Sequence, residues 1–265
     1  MLRVQKFLTE IGLISRRKCE KLIDAKQIKI NGKYAKLGDK VTYNDVVNIF
    51  GKEIRFTEST LSKKTLTIAY HKRIGEIVSR KSSNVINTVF ENLPKVDQRW
   101  LNVGRLDVAT SGLILFTNNG FLANKLMHPS SEIKRVYLVE TNKAITNNHK
   151  DMMLDNVDIG NNEIGKFYKI WANKKRKNQY KLSLYTGKNR EIRRVFNRLG
   201  YKIKSLKRIS YGPVNIDNIK LGSYRYLSDS ESKLILNVGT GKSTSVLDLI
   251  NTFKYVNKIK IKYEF

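Results

Sequence analysis

The run Gly104-Arg105-Leu106-Asp107-Val108-Ala109-Thr110-Ser111-Gly112-Leu113-Ile114-Leu115-Phe116-Thr117-Asn118-Asn119-Gly120 decides how the rest of the chain is read. It opens with a glycine turn presenting one Arg and one Asp, passes the small residues Ala109 to Gly112, and then runs apolar from Leu113 to Phe116. Glycines and small residues mark a bend, and a short apolar run bounded by them marks a buried strand, so the pattern is loop, then strand. A carboxylate just ahead of that bend sits at a sheet edge where solvent is partly excluded, a place suited to chemistry. By residue type alone, however, an Asp there is ordinarily a turn or helix-capping residue, because its oxygens accept backbone N–H bonds. Spacing leaves both readings of Asp107 open.

Charge supplies the next constraint. The 265 residues carry 51 Lys and Arg against 23 Asp and Glu, a formal net charge of +28. A field of that sign gathers polyanions, and nucleic acid is the first candidate partner. A membrane surface would need a basic amphipathic helix or a lipidation signal, and Leu2 follows Met1 with no cysteine near the C-terminus. No apolar run approaches the ~20 residues that cross a bilayer, and the N-terminus lacks a signal-peptide core, so a cytoplasmic protein is expected. With one cysteine, Cys19, and three scattered histidines, His71, His128 and His149, neither a disulfide nor a metal site is expected. The length suggests two domains.

Taken in order, Val4, Phe7, Leu8 and Ile11 stand at helical spacing before Gly12, a left-handed cap. Ser15 is an N-cap for a second helix over 16–23, with Cys19, Leu22 and Ile23 on its inner face and Arg16, Arg17 and Lys18 in its first turn. A basic first turn opposes the helix macrodipole, a cost that a phosphate at that end would relieve; a solvated face is the plainer alternative. Ile28 to Ile30, the hairpin signal Asn31-Gly32, and strands near Val41 and Val46 to Ile49 complete a small unit. The polar stretch 56–64 is a linker. Beyond it the pattern predicts an alternating strand over 65–70, a helix over 85–93 ended by Pro94, and a strand over 134–139 with Tyr137 facing away from Val136 and Leu138. Residues 151–172 read as strands around a Gly160-Asn161-Asn162 loop, and 173–178 as a basic hairpin tip before a strand over 180–185. A helix over 190–199 buries Ile192, Val195, Phe196 and Leu199; at ~100° per residue Arg190, Arg194 and Arg198 share a stripe suited to phosphates, whereas Arg193 flanks the apolar face. The loop Gly239-Thr240-Gly241-Lys242-Ser243-Thr244 resembles a phosphate-binding loop only superficially, since Leu236 stands where its first glycine is required.

The run from Gly104 through Pro129, closing on His128-Pro129, resembles the signature of the ribosomal RNA pseudouridine synthases of the small-subunit-enzyme type, Asn119 standing where members usually carry Asp. Residues 2 to about 55, through Ser15-Arg16-Arg17-Lys18-Cys19-Glu20-Lys21-Leu22-Ile23 and Ile28-Lys29-Ile30-Asn31-Gly32-Lys33, resemble the alpha-L RNA-binding domain of small-subunit ribosomal protein four. Gly187-Lys188-Asn189-Arg190-Glu191-Ile192-Arg193-Arg194 is similar to a further motif of the synthases, and Leu206 to Pro213 continues the likeness. The resemblance implies that Asp107 is the catalytic carboxylate, that Tyr137 packs against the target base, that Arg193 pairs with Asp107 and that Leu206 lines the site. Arg105 would fill the space left by the flipped base or grip its phosphate. Lys188, Asn189 and Arg190 would contact substrate, and Arg16, Arg17 and Lys18 would dock structured RNA.

The resulting expectation is an α+β protein. An alpha-L RNA-binding domain would occupy residues 1–60, a catalytic domain with a mixed, largely antiparallel sheet residues 61–237, and a basic tail residues 238–265. Its reaction would turn a uridine of ribosomal RNA, with Tyr211-Gly212-Pro213 leaning toward the large subunit, into pseudouridine. The enzyme would act as a monomer, without metal, nucleotide or other cofactor. Two alternatives compete. A non-catalytic ribosome-assembly factor would carry the same charge but no reason to combine Asp107, Tyr137 and Arg193. A methyltransferase would need a glycine-rich loop after an early strand, and the chain's G-x-G lies at Gly239-Thr240-Gly241.

Overall fold

The computed structural model describes residues 2–10, 13–42, 44–54, 65–80, 87–96 and 99–238. The expected cap at Gly12, the linker at 56–64, the loop at 239–244 and the tail beyond it lie outside these residues.

In the N-terminal unit, β1 (Leu2–Arg3) leads into α1 (Val4–Glu10), and α2 (Arg16–Asp24) follows. The Ser15 hydroxyl accepts the Lys18 N–H at 3.3 Å, the bond expected of an N-cap. Cys19, Leu22 and Ile23 are buried with Val4, Phe7 and Leu8 of α1, which leaves Arg16, Arg17 and Lys18 exposed. Burial raises the Cys19 thiol to about 11, so it packs as a small apolar group. Strands β2 (Ile28–Ile30), β3 (Lys33–Tyr34), β4 (Lys40–Val41), β5 (Val47–Ile49) and β6 (Lys52–Ile54) follow, with β3-β2-β5-β6 forming one sheet and β4 pairing with β1. Asn31 and Gly32 take φ of 49° and 81°, the left-handed pair that closes a two-residue hairpin.

The second unit runs β7 (Thr67–Lys72), β8 (Leu101–Val103), β9 (Ser111–Thr117), α3 (Gly120–Met127), β10 (Arg135–Thr141), α4 (Asn147–Asp155), β11 (Val157–Asp158), β12 (Ile164–Gly165), β13 (Lys169–Ala172), β14 (Gln179–Leu184), α5 (Glu191–Arg198), β15 (Ile203–Tyr211), β16 (Val214–Asn215), β17 (Tyr224–Tyr226) and α6 (Asp229–Val238). Its sheet has the order β13-β14-β10-β15-β9-β7-β17, with β8 beside β9 and β16 beside β15. Only the β15–β9 pair is parallel among the described strands, so the sheet is mixed and largely antiparallel in an α+β fold. Alternation along the strands divides the core between two faces. Tyr70, Ile114, Phe116, Tyr137 and Phe196 pack on one; Leu113, Leu115, Leu122, Leu126 and Ile235 pack on the other.

Several expectations need correction. The strand over 65–70 is β7, displaced by two residues, and its six residues are all buried rather than alternately exposed, because the sheet is covered on both faces there. Of the helix expected over 85–93, residues 85 and 86 lie outside the described residues, and 87–93 hold one 3-10 turn, Val89–Asn92. Thr88 instead bridges Ile77 in strand fashion, which spends the backbone bonds a longer helix would need, and Pro94 closes the other side. Within 151–172 the first residues belong to α4, capped by Thr146 through the His149 N–H at 3.3 Å. Its apolar residues Met152, Met153 and Leu154 are consecutive, and of its nine residues Met153 is buried, so helical periodicity is missing from the sequence. Gly160 to Asn162 do form the turn between β11 and β12.

Candidate active site

The catalytic candidates meet around a cavity of about 480 Å³ whose walls include Arg105, Asp107, Tyr137, Lys188, Arg190, Arg193 and Leu206. Asn189 does not line it, and its carbonyl accepts an N–H of Arg194 at 3.3 Å. Arg16, Arg17 and Lys18 belong to the N-terminal unit and take no part in the cavity wall.

Asp107 opens a turn in which the Thr110 N–H donates to the Asp107 carbonyl at 3.0 Å. Every carbonyl of this four-residue turn is held by a cation. The Lys72 ammonium donates to Asp107 at 3.1 Å, Val108 at 3.4 Å and Thr110 at 2.9 Å, and to Arg73 at 2.9 Å. The Arg193 guanidinium donates to the Ala109 carbonyl at 2.8 Å and the Thr110 hydroxyl at 3.3 Å. Ordinary turns leave such carbonyls to water. Here the turn is fixed from below, and the Asp107 side chain is carried on a preset backbone.

Lys72 is fully buried at the end of β7. Burial pushes its pKa down to about 8, with the Glu76 and Asp107 carboxylates acting in the opposite sense. Glu76, 4% exposed, is itself tied to the Tyr70 hydroxyl at 2.8 Å, the Arg73 N–H at 2.9 Å and the Asn92 amide at 3.1 Å. Nothing in the residue pattern marked Lys72 or Glu76 as part of the site. The available signal was a lysine closing the buried strand Thr67-Ile68-Ala69-Tyr70-His71-Lys72.

The direct ion pair expected between Arg193 and Asp107 is replaced by the two bonds from Arg193 to the turn. Among the described residues no cation stands within 4.0 Å of the Asp107 carboxylate. The two groups still interact at longer range: burial lowers the Arg193 pKa, the Asp107 carboxylate works against that, and Arg190 adds to it. A guanidinium remains charged at neutral pH despite such burial. Arg193 is half-buried, so its surroundings are more open than a sealed pocket.

The close approach of β9 and β15 brings the opposite wall to Asp107. Gly112 has φ +113°, and a Cβ on it would stand 2.2 Å from the Arg208 carbonyl. Only glycine allows Arg208 to lie beside Gly112 in the parallel pair. The Arg208 Nε then donates to the Leu113 carbonyl at 2.6 Å, and its guanidinium lies 5.1 Å from the Tyr211 ring centre. Leu206, two residues earlier, is 4% exposed at the cavity wall. Tyr137 reaches the cavity because a bulge shifts the β10–β15 register between Val136, opposite Ser210, and Tyr137, opposite Arg208. Arg135 borders the same cavity and donates to the Ile133 and Thr186 carbonyls at 3.1 and 3.2 Å.

The 186–190 loop forms the remaining rim. Buried Glu191 accepts the Thr186 hydroxyl at 2.8 Å and the Lys188 N–H at 3.1 Å, and Arg190 takes the left-handed conformation at φ 49° just before α5. Arg190 therefore stands outside the helix, and the expected three-arginine stripe dissolves. Arg194 is engaged with the Ile159 and Gly160 carbonyls at 2.9 and 2.7 Å and with the Glu163 carboxylate, which clamps the β11–β12 hairpin to α5. Arg198 stands 3.9 Å from Asp158. Asn119, by contrast, is an N-cap: its side chain accepts the Leu122 N–H at 3.1 Å, starting the helix that ends at His128 and sets Met127 and Pro129 on the cavity rim.

A family model described as RNA pseudouridylate synthase matches residues 66–198, and one described as S4 domain matches residues 2–47. The chain is 34% identical over 245 residues to the ribosomal large subunit pseudouridine synthase B of Pseudomonas aeruginosa, covering 88% of this chain and 61% of that protein. It is 35% identical over 243 residues to the protein of the same name from Buchnera aphidicola subsp. Acyrthosiphon pisum, covering 89% of this chain and 96% of that one. A crystal structure of a pseudouridylate synthase, 22% identical, aligns with a TM-score of 0.63 over 89% of this chain and all of that one, a likeness of fold.

Proposed function

The chain belongs to the RNA pseudouridylate synthase family, and from that premise we propose that it isomerises a specific uridine of large-subunit ribosomal RNA to pseudouridine, with Asp107 as catalytic carboxylate. The observation that carries the catalytic assignment is the turn at 107–110, whose carbonyls are all held by Lys72 and Arg193 while its first side chain faces the cavity.

The reaction is an internal exchange. The bond from ribose C1′ to ring N1 breaks, a bond from C1′ to ring C5 forms, the C5 hydrogen leaves as a proton, and N1 gains one. Nothing is oxidised. Asp107 acts in this exchange as nucleophile or base at the freed ring or sugar. The target base must first leave its stack, and Arg105, exposed two residues from Asp107, takes its place or its phosphate. Tyr137 lies against the enclosed uracil and Leu206 closes the apolar side while the ring turns. Arg193 holds Asp107 in aim through the turn. Lys188 and Arg190 meet the neighbouring phosphates, and Arg16, Arg17 and Lys18 dock a separate part of the RNA.

Mapping pseudouridine at nucleotide resolution in unmodified large-subunit rRNA incubated with the purified protein tests the proposal. One new pseudouridine at a single position is expected. Binding without any new pseudouridine would favour the assembly-factor alternative.

A further inference from the structure

Away from the cavity, aromatic rings and lysines interleave at the free edge of the sheet. Tyr185 lines the cavity, and its ring meets that of Tyr168 edge to face, with centres 5.0 Å apart. Tyr168 is 60% exposed, and the Lys134 ammonium lies 5.8 Å from its ring centre. The same ammonium is 5.9 Å from the centre of Trp171, which is also approached by Lys169 at 5.4 Å and Lys181 at 5.7 Å. Trp171 stands opposite Lys181, and Lys181 opposite Leu138, so these side chains share one face. Ile170, Leu182 and Tyr137 occupy the other, the face that carries the cavity. The series Tyr185, Tyr168, Lys134, Trp171 therefore leads from the cavity mouth around β13 to the back of the sheet.

Three ammonium groups around one indole repel one another. Among the described residues none of the three has a carboxylate within 4.0 Å. The positive charge is left for an external anion, while the partly open rings offer flat apolar faces. Alternating flat rings and cations match the alternating bases and phosphates of an unpaired strand; duplex RNA hides its base faces and would use the charge alone.

We infer that Tyr168 and Trp171, with Lys134, Lys169 and Lys181, form a stacking track for single-stranded RNA continuous with the cavity, which receives unpaired nucleotides flanking the target uridine. This rests on the proposed function for the identity of the strand, but not for the stacking itself.

Trp171 supplies its own reporter. The chain's other tryptophan, Trp100, is 5% exposed and donates its indole N–H to the Pro94 carbonyl, so it gives a constant background. Titrating the full chain with a uridine dodecamer is expected to quench tryptophan emission in step with the anisotropy of the labelled strand, and Trp171→Phe should abolish the quench. Trp171→Ala should lower affinity about 5- to 150-fold, the ~1–3 kcal/mol of one stacked base. Lys134→Ala with Lys181→Ala should weaken binding and flatten its salt dependence. A saturated complex without quench, or an equal quench by RNA duplex or by poly-glutamate, would overturn the track. Pseudouridine formation measured alongside separates the two ideas: normal formation by Trp171→Ala with unchanged KM refutes the track and leaves the function standing. A quench by the dodecamer with no pseudouridine made by the wild-type protein refutes the function and leaves the track.

Discussion

Lys72 bears the most consequence at the scale of a residue. Its ammonium stands under the turn that carries Asp107, yet burial leaves its pKa at about 8. Turnover is therefore expected to fall through a single ionisation near pH 8 as one of its N–H donors is lost. Stability runs the other way. The folded lysine sheds its proton near pH 8 while the unfolded chain keeps its own to about 10.5, so between these values the unfolded state binds more protons and Lys72 makes folding more favourable as pH rises. A pH profile of turnover beside urea unfolding at pH 7.5 and 9.5 checks this; turnover flat to pH 9.5 would show that the ammonium stays charged. Gly112 gives a sharper test of geometry. Gly112→Ala must relieve both φ +113° and a 2.2 Å approach to the Arg208 backbone, and a loss of ~3 kcal/mol or more is expected from the unfolding midpoint. An unchanged midpoint would mean β9 and β15 do not approach so closely. Asp107 and Arg193 were legible as residues through the resemblance of their motifs. Lys72 was not, because its role arises from contacts with a segment more than thirty residues away, and Glu76 was not, because its partners Tyr70, Arg73 and Asn92 are spread over β7, the turn after it and the 3-10 turn.

At the scale of elements, α5 shows what helical spacing does and does not convey. The apolar face of Ile192, Val195 and Phe196 is buried as spacing requires, and Arg193 does leave the side of Arg194 and Arg198. Spacing could not reveal that Arg190 sits in a left-handed turn, or that Arg194 faces a hairpin instead of phosphate. The two neighbours should separate experimentally. Arg193→Ala frees the Ala109 carbonyl and is expected to lower single-turnover rates by ~10²-fold or more, in the range lost when catalytic groups are mispositioned, with RNA affinity kept. Arg194→Ala breaks the clamp on β11–β12 and should cost ~2 kcal/mol of stability while leaving the rate at saturating RNA within a few-fold. Equal behaviour of the two would contradict the division. Elements with strong local signals, such as the Asn31-Gly32 hairpin and the Ser15-capped helix, were readable in advance. The helix over 85–93 was not, because a tertiary bridge from Ile77 to Thr88 overrides local preference, and α4 lacks any apolar stripe to read.

For the whole molecule, the net charge of +28 points to a polyanion, and the proposed function divides that charge between docking RNA and meeting the phosphates beside the target. Arg16, Arg17 and Lys18 are exposed on a unit with its own core and do not line the cavity. Replacing all three by alanine should weaken rRNA binding and reduce the log–log salt slope by about 2 to 3, at ~0.7 to 0.9 per phosphate contact, with single-turnover rates at saturating RNA preserved. A filter-binding titration with an unchanged slope would show that α2 does not hold RNA. In the proposed function chemistry belongs to Asp107 and affinity to the basic surface. Tritium release from rRNA carrying [5-³H]uridine, followed in single turnover for the wild type and Asp107→Asn at matched saturation, separates the two. No detectable release by the variant is expected, with RNA affinity within a few-fold of wild type; release within a few-fold of wild type would place the chemistry on another residue.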